Sequence, residues 1–404
     1  MKRLPGPMTL LSAVLLSGCS PVSAVATQTA PSPAKVVRAA KPTAAEPNLR
    51  LLQNKLKNAQ RSAVTIVQLG DSHTAADLLT GELRTRFQQD YGNGGIGFIA
   101  ATPVPGTRYD QVRITAARSQ WNLTSARNQH SDRFPLGGYL SVPQTAGAHV
   151  HLEPTPPTDM RYRVSTLYQA GSNNRLQARD DYTQAARPLP LTNGQWRLSP
   201  AIGNLALPMD LTFASSQNLA VGGWNILGQN NSGVVFSTLG INGAQFSVVD
   251  KWQPGWLDTL KALKPDLLIV AYGTNEAFDD DLDIGLYESQ QTQRIQQLRQ
   301  ALPGTVLLIV GAPDSIKNKG AGSCQARQPR SLHPVIDVQQ RVAKQNRTLY
   351  WNWQAFMGGD CAIVNWQAQD LARPDLVHFT KEGYIKVADA LYDYLNGVIA
   401  PAKR

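Results

Sequence analysis

The sequence contains few cysteines, few aromatic residues and, beyond its N-terminal region, no long apolar run. Three cysteines in 404 residues exclude a small scaffold held together by disulfides. Charged residues make up 17% of the chain, too few for a coiled coil or a long helical array. The 42% of hydrophobic residues is enough to bury a core, which excludes a chain disordered throughout. No later segment reaches 18 consecutive apolar residues, so none is predicted to span a membrane.

Acidic residues are the scarcer charged class, which leaves a formal net charge of +10. A basic chain suits nucleic acid, an anionic membrane or an acidic wall polymer. The N-terminus narrows this choice, because Lys2 and Arg3 precede a short apolar stretch at residues 8–16 and then the sequence Leu-Ser-Gly-Cys ending at Cys19. A basic start, a short apolar run and small residues are typical of an export signal. We therefore expect an exported protein that does not meet nucleic acid.

The segment around Cys19 also resembles a bacterial lipobox, in which the cysteine is lipidated and becomes the new N-terminus. The alternative is an ordinary signal peptide cleaved after Ala24, in which Cys19 has no role. On the lipobox interpretation, residues 1–18 are the signal peptide and the Ala-, Pro-, Thr- and Ser-rich residues 19–48 are a flexible tether. This predicts a protein held through Cys19 on the periplasmic face of the cell envelope, at the outer membrane in a Gram-negative source.

The remainder of the chain shows two different patterns of apolar and polar residues. Apolar strands alternate with helical patterns over residues 49–99 and 236–404, which predicts an α/β domain with a parallel sheet covered on both faces. Residues 100–235 instead show short alternating runs separated by Gly, Pro and Asn, which is typical of an antiparallel β-sandwich. We therefore predict one α/β domain interrupted by an inserted β domain. In an exported protein, Cys324 and Cys361 are candidates for a disulfide, with two free thiols as the alternative.

Four short motifs follow predicted strands of the α/β domain, where open α/β folds bind their ligands. Ser72 lies in Gly-Asp-Ser-His and opens a helix, Gly243 lies in Gly-Ile-Asn-Gly, and Asn275 lies in Gly-Thr-Asn-Glu. Asp375 and His378 are three residues apart before the last helix, so the carboxylate can orient the imidazole as a base. Each motif alone is also ordinary turn or helix-cap chemistry. Their order, with each motif at a strand–helix turn, is far more specific.

This order resembles the SGNH (GDSL-like) hydrolase superfamily, whose conserved blocks carry Ser, Gly, Asn and His in the same order along the chain. The longer motifs Gly-Asp-Ser-His-Thr-Ala and Gly-Ile-Asn-Gly-Ala-Gln, with a β insertion between them, are similar to bacterial peptidoglycan O-acetylesterases. The resemblance implies a three-layer α/β/α, flavodoxin-like catalytic domain and an insert like a carbohydrate-binding module. The third block departs from the generic Gly-x-Asn-Asp pattern by ending in a glutamate, but it retains Asn275.

The resemblance further implies a serine esterase. Ser72, His378 and Asp375 would form the triad, and Ser72, Gly243 and Asn275 the oxyanion hole. The substrate would be an acetyl ester on the C6 hydroxyl of N-acetylmuramic acid in O-acetylated peptidoglycan. No metal or other cofactor is expected, and we expect a monomer. His73 is either a pocket residue or an exposed first-turn residue.

Two alternatives remain at this stage. An O-acetyltransferase would use the same catalytic residues, with a sugar hydroxyl replacing water as acetyl acceptor. A wall-binding lipoprotein would use the β insert to bind peptidoglycan and the α/β domain as a scaffold. The complete set of Ser, Gly, Asn, Asp and His argues against the scaffold, since a scaffold does not need all five.

Overall fold

A computed structural model describes residues 46–129 and 133–399. Over these residues the chain forms 17 β-strands and 11 α-helices. The helices are α1 (Leu49–Lys57), α2 (Ser72–Ala75), α3 (Leu79–Tyr91), α4 (Trp256–Ala262), α5 (Thr274–Ala277), α6 (Ile284–Ala301), α7 (Cys324–Arg327), α8 (Leu332–Gln345), α9 (Trp353–Met357), α10 (Ala362–Ala368) and α11 (Lys381–Ile399). The strands fall into one parallel and two antiparallel sheets.

The parallel sheet carries the predicted catalytic motifs. Its strands are β1 (Val64–Gly70), β14 (Val234–Gly240), β15 (Leu267–Ala271), β16 (Val306–Val310) and β17 (Leu349–Trp351). Their spatial order is β14-β1-β15-β16-β17 and all neighbours are parallel. Counted along this domain, that is the order 2-1-3-4-5 of flavodoxin-like folds. The predicted fold class is confirmed.

Alternation along the strands sends successive side chains to opposite faces of this sheet. On one face, Val67, Leu69, Leu268 and Val270 pack with apolar residues of α4, α6 and α8. On the other face, Val64, Ile66, Leu267 and Ile269 pack with α1, α3 and α11. Burial on both faces explains why these strands are mostly apolar.

The two antiparallel sheets form the insert. One contains β2 (Gly95–Ile99), β4 (Trp121–Ser125), β5 (Tyr139–Pro143), β7 (Tyr162–Ala170), β10 (Arg197–Leu198), β11 (Ile202–Leu205) and β13 (Leu219–Gly228). The other contains β3 (Val112–Thr115), β6 (His149–Pro154), β8 (Asn174–Arg179), β9 (Gln184–Leu189) and β12 (Met209–Phe213). Residues of both sheets share one apolar core, which includes Val164, Trp224, Leu152 and Leu211. The insert is therefore a β-sandwich.

The boundaries between the two domains differ from the prediction. Strand β2, which we assigned to the α/β domain, pairs with β13 of the insert. Its Ile96 and Ile99 pack in the core of the insert, and its Phe98 packs in the core shared with the α/β domain. Strand β14 begins at Val234 and belongs to the parallel sheet. The insert also shares a core with the α/β domain, through Phe98 of β2, Leu167 of β7 and Phe134, which precedes β5. The insert is thus docked firmly beside the catalytic sheet.

The N-terminal predictions fall mostly outside the described residues. The signal segment, Cys19 and the tether as far as residue 45 are not described. Residues 46–48, which we assigned to the tether, pack on the α/β domain instead. The buried Glu46 carboxylate pairs with Arg299, and the Asn48 amide donates to the backbone oxygens of Pro303 and Thr305. Among the described helices, none is long and apolar enough to cross a membrane.

Candidate active site

Three predicted motifs meet because the strands that precede them end at the same level. In the register of the sheet, Gly70 of β1 lies opposite Gly240 of β14 on one side and Ala271 of β15 on the other. The loops carrying Ser72, Gly243 and Asn275 therefore leave adjacent strands at one edge. This is the carboxyl edge, where parallel sheets present their ligand sites.

The turn from β1 into α2 exposes Ser72. The chain passes so close to its neighbours that a Cβ on Gly70 would lie 2.7 Å from the Ala271 oxygen, so only glycine fits there. Asp71 caps the helix, since its Oδ1 accepts the backbone N–H of His73 at 3.0 Å. Ser72 is thereby held, half-buried, at the first residue of a helix.

The Ser72 hydroxyl contacts the predicted base. Ser72 Oγ lies 2.9 Å from His378 Nε2, and His378 Nδ1 lies 2.9 Å from Asp375 Oδ2. Asp375 Oδ1 accepts the backbone N–H groups of Val377 and His378, both at 2.9 Å. The carboxylate thus holds the loop and the imidazole together, in the geometry of a Ser-His-Asp triad.

The environment keeps Asp375 ionised. Partial burial raises the pKa of its carboxyl, but the His378 backbone N–H, the His378 imidazole and the Val377 N–H together lower it below its usual value. An ionised carboxylate accepts from the imidazole Nδ1–H. His378 Nε2 is then left as the proton acceptor that faces Ser72.

The loops after β14 and β15 are tied together on the other side of Ser72. Asn275 Nδ2 donates to the Ala244 oxygen at 2.9 Å, and Glu276 Oε1 accepts the Phe246 N–H at 2.8 Å. Gly243 has a φ of 71°, which favours glycine. The side-chain amide of Asn275 has a second N–H, so one donor can hold the loop while the other serves a ligand.

Two buried carboxyls lie behind this arrangement. Burial raises the pKa of Asp71 to about 7 and that of Glu276 to about 7, and the two groups repel one another. From the sequence, Asp71 was a helix cap and Glu276 only a departure from a family pattern. The sequence offered no signal that both would be fully buried.

His73 is buried, so it is not the exposed first-turn residue of the second alternative; it lines a small internal cavity together with Asp71 and Trp353. Its side chain is 2% exposed, and its Nδ1 lies 2.8 Å from the Tyr384 hydroxyl. Its ring lies among aromatic rings, 5.2 Å from that of Trp353 and 5.4 Å from that of His378. The short helix α2 turns this side chain inward, toward α11. Burial lowers the pKa of His73 to about 3, so it is neutral.

A disulfide joins Cys324 of α7 to Cys361, which directly precedes α10. Downstream of α10, the loop before α11 carries the proposed base. Its Leu376 oxygen accepts the Ile316 N–H at 2.9 Å, from the segment that precedes α7. The disulfide and this bond both connect the segment after β16 with the region that carries His378.

Comparisons with known proteins agree with this geometry. Residues 94–210 match the family model for the N-terminal domain of peptidoglycan O-acetylesterase, and residues 211–385 match the model for the GDSL-like lipase/acylhydrolase family. A solved structure of a peptidoglycan O-acetylesterase is 33% identical and superposes with a TM-score of 0.78. The match covers 88% of this chain and 96% of that one. The chain belongs to the peptidoglycan O-acetylesterase family. It is a carbohydrate esterase of the SGNH type.

More distant structures match less well than this member of the peptidoglycan O-acetylesterase family. A lipase/acylhydrolase from Enterococcus faecalis is 15% identical, covers 43% of this chain and 81% of its own, and has a TM-score of 0.33. A family two carbohydrate esterase from Cellvibrio japonicus is 11% identical, covers 71% and 98%, and has a TM-score of 0.31. No curated protein matches significantly.

Proposed function

We propose that this esterase removes O-acetyl groups from the C6 hydroxyl of N-acetylmuramic acid in peptidoglycan. Ser72 is the nucleophile, His378 the base and Asp375 the residue that orients it. The observation that supports the proposal is the pair of 2.9 Å contacts from Ser72 Oγ to His378 Nε2 and from His378 Nδ1 to Asp375. Family membership supports the peptidoglycan ester as substrate.

In the first step, His378 Nε2 takes the Ser72 hydroxyl proton while Oγ bonds to the acetyl carbonyl carbon. The carbonyl π pair moves onto oxygen and gives a tetrahedral oxyanion. The imidazolium that forms lies against the ionised Asp375, which stabilises its charge. The N-terminus of α2 also favours negative charge beside Ser72.

The oxyanion is bound by the N–H groups of Ser72 and Gly243 and by the free N–H of the Asn275 amide. These donors belong to three adjacent loops, and the bonds to Ala244 and Phe246 fix two of the loops before substrate arrives. Preorganised donors of this kind cost no reorganisation in the transition state.

In the second step, the C–O bond to the sugar breaks and His378 gives its proton to the departing C6 oxygen. Water then attacks the acetyl-enzyme, and His378 removes a proton from it. The tetrahedral intermediate collapses to acetic acid and free Ser72, whose Oγ recovers the proton. The balance is one ester and one water converted to one alcohol and one acid.

The test is acetate release from O-acetylated peptidoglycan by the wild type, Ser72→Ala and His378→Ala. We expect release by the wild type, with loss in both variants to near background. Digested product analysed by mass spectrometry and NMR should show loss of the acetyl group at C6. Normal release by Ser72→Ala would refute the triad. Acetyl transfer to added glycan with little free acetate would identify a transferase instead.

We further propose that Cys19 is lipidated and anchors the enzyme in the cell envelope. The lipobox-like sequence that ends at Cys19 supports this proposal. Metabolic labelling with a radioactive fatty acid should label the wild type and leave Cys19→Ala unlabelled. Equal labelling of both would contradict it.

A further inference from the structure

We infer that Arg127, contributed by the β insert, positions the substrate by binding an anionic group beside the scissile ester. This inference rests on the proposed function. Arg127 follows β4, more than a hundred residues before Gly243 in the sequence, and no catalytic motif includes it. Its guanidinium nevertheless reaches the loop that we assign to the oxyanion hole.

The contact is seen at Gly243. A Cβ on this glycine would lie 3.0 Å from Arg127 Nε, 3.1 Å from Cζ and 3.1 Å from Nη2. These distances are tighter than ordinary van der Waals contact, so the guanidinium packs directly on the glycine. A side chain at position 243 would displace it. Because Gly243 has no Cβ, its backbone N–H and the Arg127 guanidinium can both lie at the carboxyl edge of the parallel sheet.

The backbone that carries Arg127 is held by both domains. The buried Ala126 donates its N–H to the Gly138 oxygen at 2.9 Å, and its own oxygen accepts from Lys251 Nζ at 2.7 Å. The Arg127 N–H donates to Ser125 Oγ at 3.2 Å. The base of the side chain is thus fixed at the junction of the insert and the α/β domain.

Tyr139 of the insert also lies close to the strand that leads to Gly243. The Tyr139 hydroxyl donates to the Gly240 oxygen at 3.0 Å, on the strand that leads to Gly243. Burial raises the pKa of Tyr139, and the Thr107 hydrogen bond and the positive charge of Arg127 counteract that rise. Tyr139 and Arg127, both from the insert, therefore lie near the end of β14.

The guanidinium is available to a ligand. Arg127 is exposed, and within residues 46–129 and 133–399 no carboxylate forms an ion pair with it. A guanidinium presents a planar set of donors that matches a carboxylate. Peptidoglycan carries carboxylates on its peptide stems, so the substrate supplies a group that none of the described residues provides to Arg127.

Anchoring fits Arg127 better than direct stabilisation of the oxyanion. Because the side chain is exposed, water and salt screen its field at the carbonyl. Three N–H donors are already assigned to the oxyanion. A carboxylate bound at Arg127 would instead hold the acetylated sugar over Ser72, which raises the rate through orientation.

The experiment compares Arg127→Ala, Arg127→Gln and Arg127→Lys on two substrates. One is O-acetylated peptidoglycan and the other is 4-nitrophenyl acetate, which is small and uncharged. Arg175→Ala is the matched control, because Arg175 is also an exposed arginine of the insert but lies on β8 of the other sheet. Melting temperatures of all variants report folding.

We expect Arg127→Ala to lose about tenfold in kcat/KM on peptidoglycan and to stay within threefold of the wild type on 4-nitrophenyl acetate. Arg127→Lys, which keeps the charge, should retain more activity on peptidoglycan than Arg127→Gln. Arg175→Ala should match the wild type on both.

Three results would overturn the inference. An equal loss on both substrates would assign Arg127 to the oxyanion, and no loss on peptidoglycan would leave it without a role. Wild-type activity in Arg127→Gln would mean that the bound group is neutral. If the wild type cleaves 4-nitrophenyl acetate but releases no acetate from peptidoglycan, the proposed function itself has failed, and that outcome is distinct from the other three.

Discussion

Replacement of Asp375 by Asn tests the triad most sharply, because it changes one atom and leaves the shape intact. In the wild type, Oδ1 accepts two backbone N–H groups while Oδ2 accepts from His378 Nδ1. If the Asn oxygen stays at the backbone side, its NH₂ faces Nδ1. The imidazole must then carry its proton on Nε2, so it donates to Ser72 Oγ and no longer accepts from it.

The opposite amide orientation is also unfavourable, because the NH₂ would then face two backbone donors. Where the carboxylate of such a triad is buried, this substitution costs about 10⁴-fold in kcat. Here the Asp375 side chain is 39% exposed, so water can take over part of its role. We therefore expect a loss of about 10³-fold, equivalent to about 4 kcal/mol in the activation free energy.

The assay is kcat and KM for 4-nitrophenyl acetate, together with acetate release from peptidoglycan. Asp370→Asn is the matched control, since Asp370 is an exposed aspartate with a φ of 56°, a conformation that Asn tolerates. A loss below tenfold in Asp375→Asn, with an unchanged melting temperature, would refute the role given to the carboxylate.

Three further predictions concern the oxyanion loops, a buried carboxyl and the disulfide. Asn275→Ala should lower kcat by about 10²–10³-fold with little change in KM, measured on 4-nitrophenyl acetate; unchanged kcat would remove Asn275 from the oxyanion hole. Burial raises the pKa of the Glu276 carboxyl to about 7, whereas in the unfolded chain this carboxyl loses its proton near pH 4.5. Between these values the folded protein binds one proton more than the unfolded chain. The contribution of Glu276 to the free energy of unfolding therefore falls as the pH rises from 4.5 through 7. Glu276→Gln should therefore gain in melting temperature relative to the wild type across that range, and parallel profiles would contradict the burial argument. Replacing both Cys324 and Cys361 by Ser should lower the free energy of unfolding in urea by about 2–4 kcal/mol, since the bridge closes a loop of 37 residues; a loss below about 1 kcal/mol would show that the bridge adds little.

Much of the fold followed from the sequence because its signals are local. Strand β1 ends in Gly70, where a Cβ would clash with the neighbouring strand, and Asp71 then caps the helix that begins at Ser72. Asp375 and His378 are three residues apart, so a single turn brings their side chains together. The change from helical to alternating patterns identified the insert. Its first strand, β2, is buried on both sides like a strand of a parallel sheet, and its pairing with β13 is seen only in the structure.

Several features of the site depend on distant contacts and had no local signal. His73 is adjacent to Ser72, but its burial depends on Tyr384 and Trp353, about 300 residues later in the chain. Glu276 is positioned by its bond to Phe246, which no periodicity indicates. These contacts exist only once α11 and the loop after β14 have packed.

The sequence alone therefore predicted the order of the elements and an α/β domain with a parallel sheet, because periodicity and turn residues are local signals. Its resemblance to a known family implied the flavodoxin-like class and the roles of Ser72, His378 and Asp375. The tertiary structure alone decided which side chains surround that site. Arg127 is the clearest case, since it reaches Gly243 only because the insert shares a hydrophobic core with the catalytic domain. The packing of the insert on the catalytic domain depends on the sum of many apolar contacts, and no short sequence motif predicts that packing.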